Sequence, residues 1–264
     1  MINCAPAAAT PDVVRAALRA EVPCIDCSGV FAQRSEVPFA WLAAGDRVAP
    51  APLVAAPADA ALVWLPLLRA LAPLGAPAHV RATILEGASA SGRAGIEALS
   101  RESLALFNSQ EPEEDETVGP PLAFDCRPNS GAAEGSRRAR ETALAAVLAR
   151  VITPCPKVSA RWIQVPSFVG QVSALSISFE RAVDPAEAAL LLGKAPGLEL
   201  WSADDEGPNL RGVAGRDVAV AGRPERDAAS PDTLFVWAAG DLLRLAAVNA
   251  AALAAAWLAA HRAH

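Results

Sequence analysis

Near the N-terminus the apolar positions recur with a helical period. Val13, Val14, Ala17 and Leu18 share one face, and Thr10-Pro11-Asp12 ahead of them offers a hydroxyl cap followed by proline at the first helical position, so the pattern predicts a helix over 11–20. Residues 22–26 are apolar up to Asp26, the mark of a buried parallel strand whose C-terminal edge carries Asp26 and Ser28. Together they make one α-β step of a doubly wound sheet. Prolines at 38, 50, 52 and 57 interrupt every period between 36 and 57, which reads as irregular surface chain. A helix over 59–71, kinked or restarted at Pro66, comes next. Residues 78–85 alternate as a strand, and the small residues from Gly87 to Gly92 turn it into a helix over about 95–106.

The second half changes character. The acidic, proline-containing run 111–121 reads as an exposed loop, and Ser136 can cap a helix that continues to 150. Strands are predicted at 162–165 and 175–179. Leu175, Ile177 and Phe179 share one face with serines opposite, which implies a half-exposed antiparallel sheet. Asp184-Pro185-Ala186-Glu187 is a capping box that starts a short helix ended by Gly193. Residues 218–221 and 234–237 supply further strands before an alanine-rich final helix. This order, α/β first and α+β after it, sets the expected fold class.

Composition narrows the function classes. The chain has 264 residues, 53% of them apolar, enough for a sizeable core. A net charge of -6 and a pI near 5.2 lack the basic face that nucleic-acid binding needs, so no nucleic-acid partner is expected. Five scattered cysteines and an opening without a basic and apolar leader point to the cytoplasm. Residues 245–260 are shorter than the roughly 20 residues of a span and include Asn249, so a packed helix and no membrane association are expected.

Isolated motifs carry little. Gly87 to Gly92 has phosphate-loop spacing, but Arg93 and Ala94 stand where lysine and a hydroxyl belong. Cys24-x-x-Cys27 has redox or zinc spacing without a second pair, and small buried hydrophobes are the better reading. His79, His261 and His264 form no nucleophile pair, and no metal site is expected.

Three stretches read together are less generic. Leu85-Glu-Gly-Ala-Ser-Ala-Ser-Gly-Arg-Ala-Gly-Ile-Glu-Ala-Leu99 resembles the serine-glycine loop and helix of aspartate-semialdehyde dehydrogenases, most closely their Usg-type paralogues. Ile163-Gln-Val-Pro-Ser-Phe-Val-Gly-Gln171 resembles the strand and turn that hold the family's substrate arginine and base histidine. Val213-Ala-Gly-Arg-Asp217, Val220-Ala-Gly-Arg223 and Asp241-Leu-Leu-Arg244 with Asn249 resemble its closing strands and last helix, and Ile25-Asp-Cys-Ser-Gly29 the end of its nucleotide domain. The resemblance implies a truncated Rossmann-like NAD(P)-binding domain over 1–74, completed by the C-terminal helix over 240–264. It also implies an α+β semialdehyde dehydrogenase dimerisation domain over 75–239 and hence a homodimer, with an unknown protein partner left open.

The departures from that family bear on chemistry. Its reaction needs a thiolate to attack the aldehyde before hydride passes to NADP and phosphate cuts the thioester. Asp59 occupies the nucleophile's position, Gln171 the histidine's, Gln164 the arginine's and Glu86 that of a glutamine beside the serine-glycine loop. No catalytic residue is therefore expected to survive. Ser89, Ser91, Gly92 and Asn249 remain as cofactor-binding candidates, while Lys157, Ser136 and Arg138 fall in regions where the family places polar substrate contacts. The opening Met1-Ile-Asn-Cys-Ala5 lies several elements into a dinucleotide domain, so no cofactor is expected for this chain and NADP only for a longer product that keeps the domain's start. The expected function is that of an inactive dimerising paralogue. The alternative is an NADP-dependent oxidoreductase acting on an aldehyde or acyl phosphate in amino-acid biosynthesis. An N-acetyl-glutamyl-phosphate reductase relative would need the same missing cysteine.

Overall fold

The computed structural model describes residues 1–41, 51–129, 136–201 and 207–262, the side chains of 136–138 and 260–262 excepted. Its first part runs β1 (Ile2–Asn3), α1 (Thr10–Arg19), β2 (Cys24–Asp26), β3 (Leu53–Ala55) and α2 (Ala61–Leu71). Then come β4 (His79–Glu86), α3 (Gly92–Phe107), β5 (Arg127–Pro128), α4 (Ser136–Leu148), β6 (Lys157–Gln164), β7 (Gln171–Ser178) and α5 (Pro185–Leu192). The chain closes with β8 (Leu198–Leu200), α6 (Leu210–Val213), β9 (Ala219–Ala221), β10 (Glu225–Arg226), β11 (Thr233–Gly240) and α7 (Leu242–Arg262).

Two sheets form. The small one is parallel, ordered β1-β2-β3, and is covered by α1 on one face, where Val14 and Ala17 meet Cys24, and by α7 on the other, where Leu253 meets Ile25 and Val54. This is the expected Rossmann-like α/β part. The large one is mixed and eight-stranded, ordered β5-β6-β4-β7-β11-β9-β8 with β10 pairing β11. Strand β4 runs parallel to β6 and antiparallel to β7, which is itself antiparallel to β11. Beneath it lies α2, whose Leu62, Val63, Trp64, Leu65, Leu67, Leu68 and Leu71 are all buried. Apart from exposed Arg69 near its end, the helix is apolar on every side and so belongs inside a core, and Pro66 is accommodated there.

Local signals mostly hold. Asp184 caps α5 by accepting from the Ala186 N–H at 3.0 Å, and Gly193 ends that helix. Several expectations fail. Thr10 does not cap α1: its hydroxyl donates to the Ala5 and Pro6 carbonyls and accepts from Asn3. The proline-broken segment contains β3, because Pro52 needs no N–H there and its carbonyl accepts from Cys24 at 2.8 Å. Residues 42–50 of that segment lie outside the described residues. The final helix falls within the expected 240–264, and its 242–259 portion is long and apolar enough to cross a membrane by length and composition, unlike the shorter 245–260 stretch considered from sequence. Its Leu245, Asn249, Ala250 and Leu253 form one buried stripe against the protein.

Candidate functional site

Strand register builds the site. Glu86, the last residue of β4, stands opposite Gln164 of β6 on one side and Gln171 of β7 on the other. Residues in register project to the same face, so these three polar side chains form one row, and all are buried. Gly240 of β11 continues the row without a side chain, and a Cβ there would meet Leu245 Cδ1 at 2.6 Å. Asp59, just ahead of α2, closes the group from below the row, in the left-handed region at φ +53° that Asp tolerates better than most residues. Four residues singled out in the sequence are thus brought together.

Arg140, absent from the sequence reading, joins them. Reaching from α4, its guanidinium donates Nη1 to Glu86 Oε1 at 3.0 Å and Nη2 to Glu86 Oε2 at 2.9 Å, a bidentate pair. The same Nη2 reaches Asp59 Oδ2 at 2.9 Å, and the planar group stacks 4.4 Å over the Trp162 ring. Burial alone would lower the Arg140 pKa, but the hydrogen bonds and charges of Glu86 and Asp59 prevail and raise it. Asn129 also donates to Glu86 Oε1. Gln171 Nε2 donates to Asp59 Oδ1 at 3.1 Å, while its Oε1 is buried without a partner among the described residues. Gln164 Oε1 accepts from Arg127 Nε and Nη2 at 3.2 and 3.0 Å, and Arg127 is held in turn by the Pro120 carbonyl.

A signal for Arg140 did exist. With Leu144, Val147 and Leu148 it lies on the stripe of α4 that faces the core, so it is a cation pointed inward, whereas Arg138, favoured in the sequence reading, has a side chain outside the described residues, as does Ser136. Lys157 is exposed at the opposite end of β6 from Gln164, roughly 23 Å away along the strand. His79 likewise lies at the far end of β4, and the side chains of His261 and His264 are outside the described residues.

The serine-glycine loop turns out to be packed by its own backbone. Ala88 and Ser89 N–H groups donate to the carbonyls of Ser167 and Phe168 at 2.7 and 2.9 Å. Gly87 lets the two loops touch, since a Cβ there would stand 2.8 Å from the Ser167 carbonyl oxygen. The Ser89 N–H is therefore engaged, Ser91 is exposed, and Gly92 turns the chain into α3 at φ +67°. Asn249 lies buried on α7.

Chemically, the centre is an ion-pair network. No cysteine or histidine takes part in its described hydrogen bonds or ion pairs. A cleft of about 190 Å³ leads to Asp59 and Arg140 between α4 and the end of β2, where Ser28, Gly29 and Gln33 form its wall. A dinucleotide fits these residues poorly. The cleft is below the ~300 Å³ at which ligand pockets usually begin.

Comparison with known proteins places this geometry in context. The family described as "Semialdehyde dehydrogenase, dimerisation domain" matches residues 66–245. A "USG-1 protein homolog" of Azotobacter vinelandii is 30% identical over 207 residues, which cover 76% of this chain and 60% of that protein. "Aspartate-semialdehyde dehydrogenase 2" of Vibrio cholerae is 25% identical over 67% of this chain and 53% of its own length. The chain thus matches between about half and three-fifths of the length of these curated relatives. In structure, aspartate semialdehyde dehydrogenase II from Vibrio cholerae superposes with a TM-score of 0.84 at 21% identity, over 96% of this chain and 77% of the other. The fold is shared.

Proposed function

This chain belongs to the semialdehyde dehydrogenase family, and from that premise we propose that it is a dimerising member that no longer performs the parent reaction, its reaction centre being closed by the Asp59–Arg140–Glu86 ion-pair network. That network is the observation carrying the reading.

The parent chemistry needs a nucleophile that forms and releases a thioester and a base that takes up its proton. At the two equivalent positions a carboxylate accepts a hydrogen bond from an amide. A carboxylate held by a guanidinium is a poor attacking group, and the Gln171 amide is not basic enough to take up a proton. A substrate carboxylate would also find Arg140 committed to two internal carboxylates, and would have to displace a buried bidentate pair to reach it. With the poor fit to a dinucleotide, this favours a scaffold over a catalyst. The match to a dimerisation domain supports a homodimer as the assembly of this scaffold.

The test is an assay of the chain with NADP, inorganic phosphate and aspartate semialdehyde, read as cofactor reduction at 340 nm~ and accompanied by sedimentation velocity. No reduction above the protein-free control and a dimeric species are expected; turnover that survives Asp59→Asn and Gln171→Leu would show another group at work, and turnover of any kind overturns the inactive reading.

A further inference from the structure

The Cys24-x-x-Cys27 spacing does not bring its own two thiols together. Cys24 points to the α1 side of the small sheet and packs with Val14 and Ala17, while Cys27 belongs to the opposite side with Ile25 and Leu253. The neighbour of Cys27 is Cys4. Strands β1 and β2 are parallel with Asn3 opposite Asp26, and the Cys27 N–H donates to the Asn3 carbonyl at 2.9 Å, so Cys4 and Cys27 form the next pair in register. The preceding pair shows how close such side chains come: Asn3 Nδ2 donates to Asp26 Oδ1 at 2.8 Å. Adjacent strands lie about 4.8 Å apart, inside the roughly 4.4–6.8 Å range of Cα separations that a disulfide spans.

The two thiols differ in a useful way. Cys4 is exposed and Cys27 is half-buried, and both are free in this structure. Burial, then the neighbouring Cys4 and Asp26, push the Cys27 thiol up to about 12, so Cys27 keeps its proton while Cys4 meets solvent.

We propose that Cys4 and Cys27 form a thiol–disulfide exchange site that reacts with low-molecular-weight disulfides of the glutathione type and cross-links the ends of β1 and β2. The Cys4 thiolate attacks one sulfur of the small disulfide, forming a mixed disulfide and releasing one small thiolate. Cys27 gives up its proton to solvent as it attacks the Cys4 sulfur and the second small thiolate leaves, and the two small thiolates take up protons from solvent. Two protein thiols are oxidised and one small disulfide is reduced to two thiols. The bond closes a loop over residues 5–26 and ties down the strand just before Ser28 and Gly29, which line the Asp59 cleft.

The experiment treats the intact chain with oxidised glutathione and reads mass, free thiols and a peptide map. The expected product is lighter by two hydrogens, has lost two of its five thiols, joins the Cys4 and Cys27 peptides and melts a few degrees higher. Cys27→Ser is expected to stop at one glutathione on Cys4, and Cys4→Ser to lose no thiol pair. A glutathione that persists on Cys4 of the unaltered chain, a cross-link that maps to another pair, or thiol loss unchanged by Cys4→Ser would overturn the proposal.

Discussion

Two buried carboxylates stand at the C-terminal ends of parallel strands, and the molecule satisfies them in opposite ways. Asp26, at the end of β2, is surrounded by neutral donors, most of them from the turn that follows it, with Asn3 of β1 added from the neighbouring strand. Its Oδ1 accepts from Ser28 N–H and hydroxyl at 3.1 and 2.8 Å and from Asn3, and its Oδ2 accepts from Phe31 N–H at 3.1 Å. Glu86, at the end of β4, depends on a cation from α4, 54 positions away. The first arrangement is mainly a turn that carries its own donors. The second requires the whole domain to assemble, and it brings Asp59 into the same network.

The difference sets an order of sensitivity. Arg140→Ala is expected to have the largest effect, about 3–5 kcal/mol in urea unfolding, because it leaves Glu86 charged, buried and without its partner. A loss under about 1 kcal/mol would mean that water or Asn129 suffices for Glu86. The double change Arg140→Met with Glu86→Leu should recover most of that stability, since an apolar pair of similar volume removes both charges at once. Failure to recover would shift the weight to the Arg140–Asp59 contact. Asp26→Ala should cost less, about 1–3 kcal/mol, as it orphans neutral Ser28 and Phe31 N–H donors rather than a buried charge. If it costs as much as Arg140→Ala, the local turn is no more forgiving than the long-range pair.

The smallest effect is expected at the far end of β4. Partial burial, with Arg81 and Lys157 nearby, lowers the His79 pKa below its usual 6.5. A depressed imidazole pKa favours the neutral form in the folded state, so its contribution is complete above about pH 6.5 and is lost as pH falls through the range just below. Urea midpoints at pH 7.5~ and 5.5~ should therefore draw closer together in His79→Gln, while the Arg140 effect persists at both.

Legibility in the sequence follows the same division. The α5 cap, the alternation of β4 and the apolar stripe of α1 are read within a few residues and reappear in the structure. The β3 strand was hidden because its flanking prolines forbid only donors that its neighbours never require. The four positions Asp59, Glu86, Gln164 and Gln171 were singled out through family resemblance, and nothing local said that they touch. Arg140 stood two residues from the favoured Arg138 and was missed although the apolar positions of α4 put it on the inward stripe.

The sequence by itself determined the periods, the cap of α5 and the membership of a family whose fold it keeps. These are properties of residues in order, set by interactions over one or two helical turns. Tertiary structure alone decided that Gln164, Glu86 and Gln171 form one row, that a guanidinium closes it, and that Cys27 faces Cys4 rather than Cys24. Each depends on strand register, and a shift of one residue would have turned every one of these side chains to the other face.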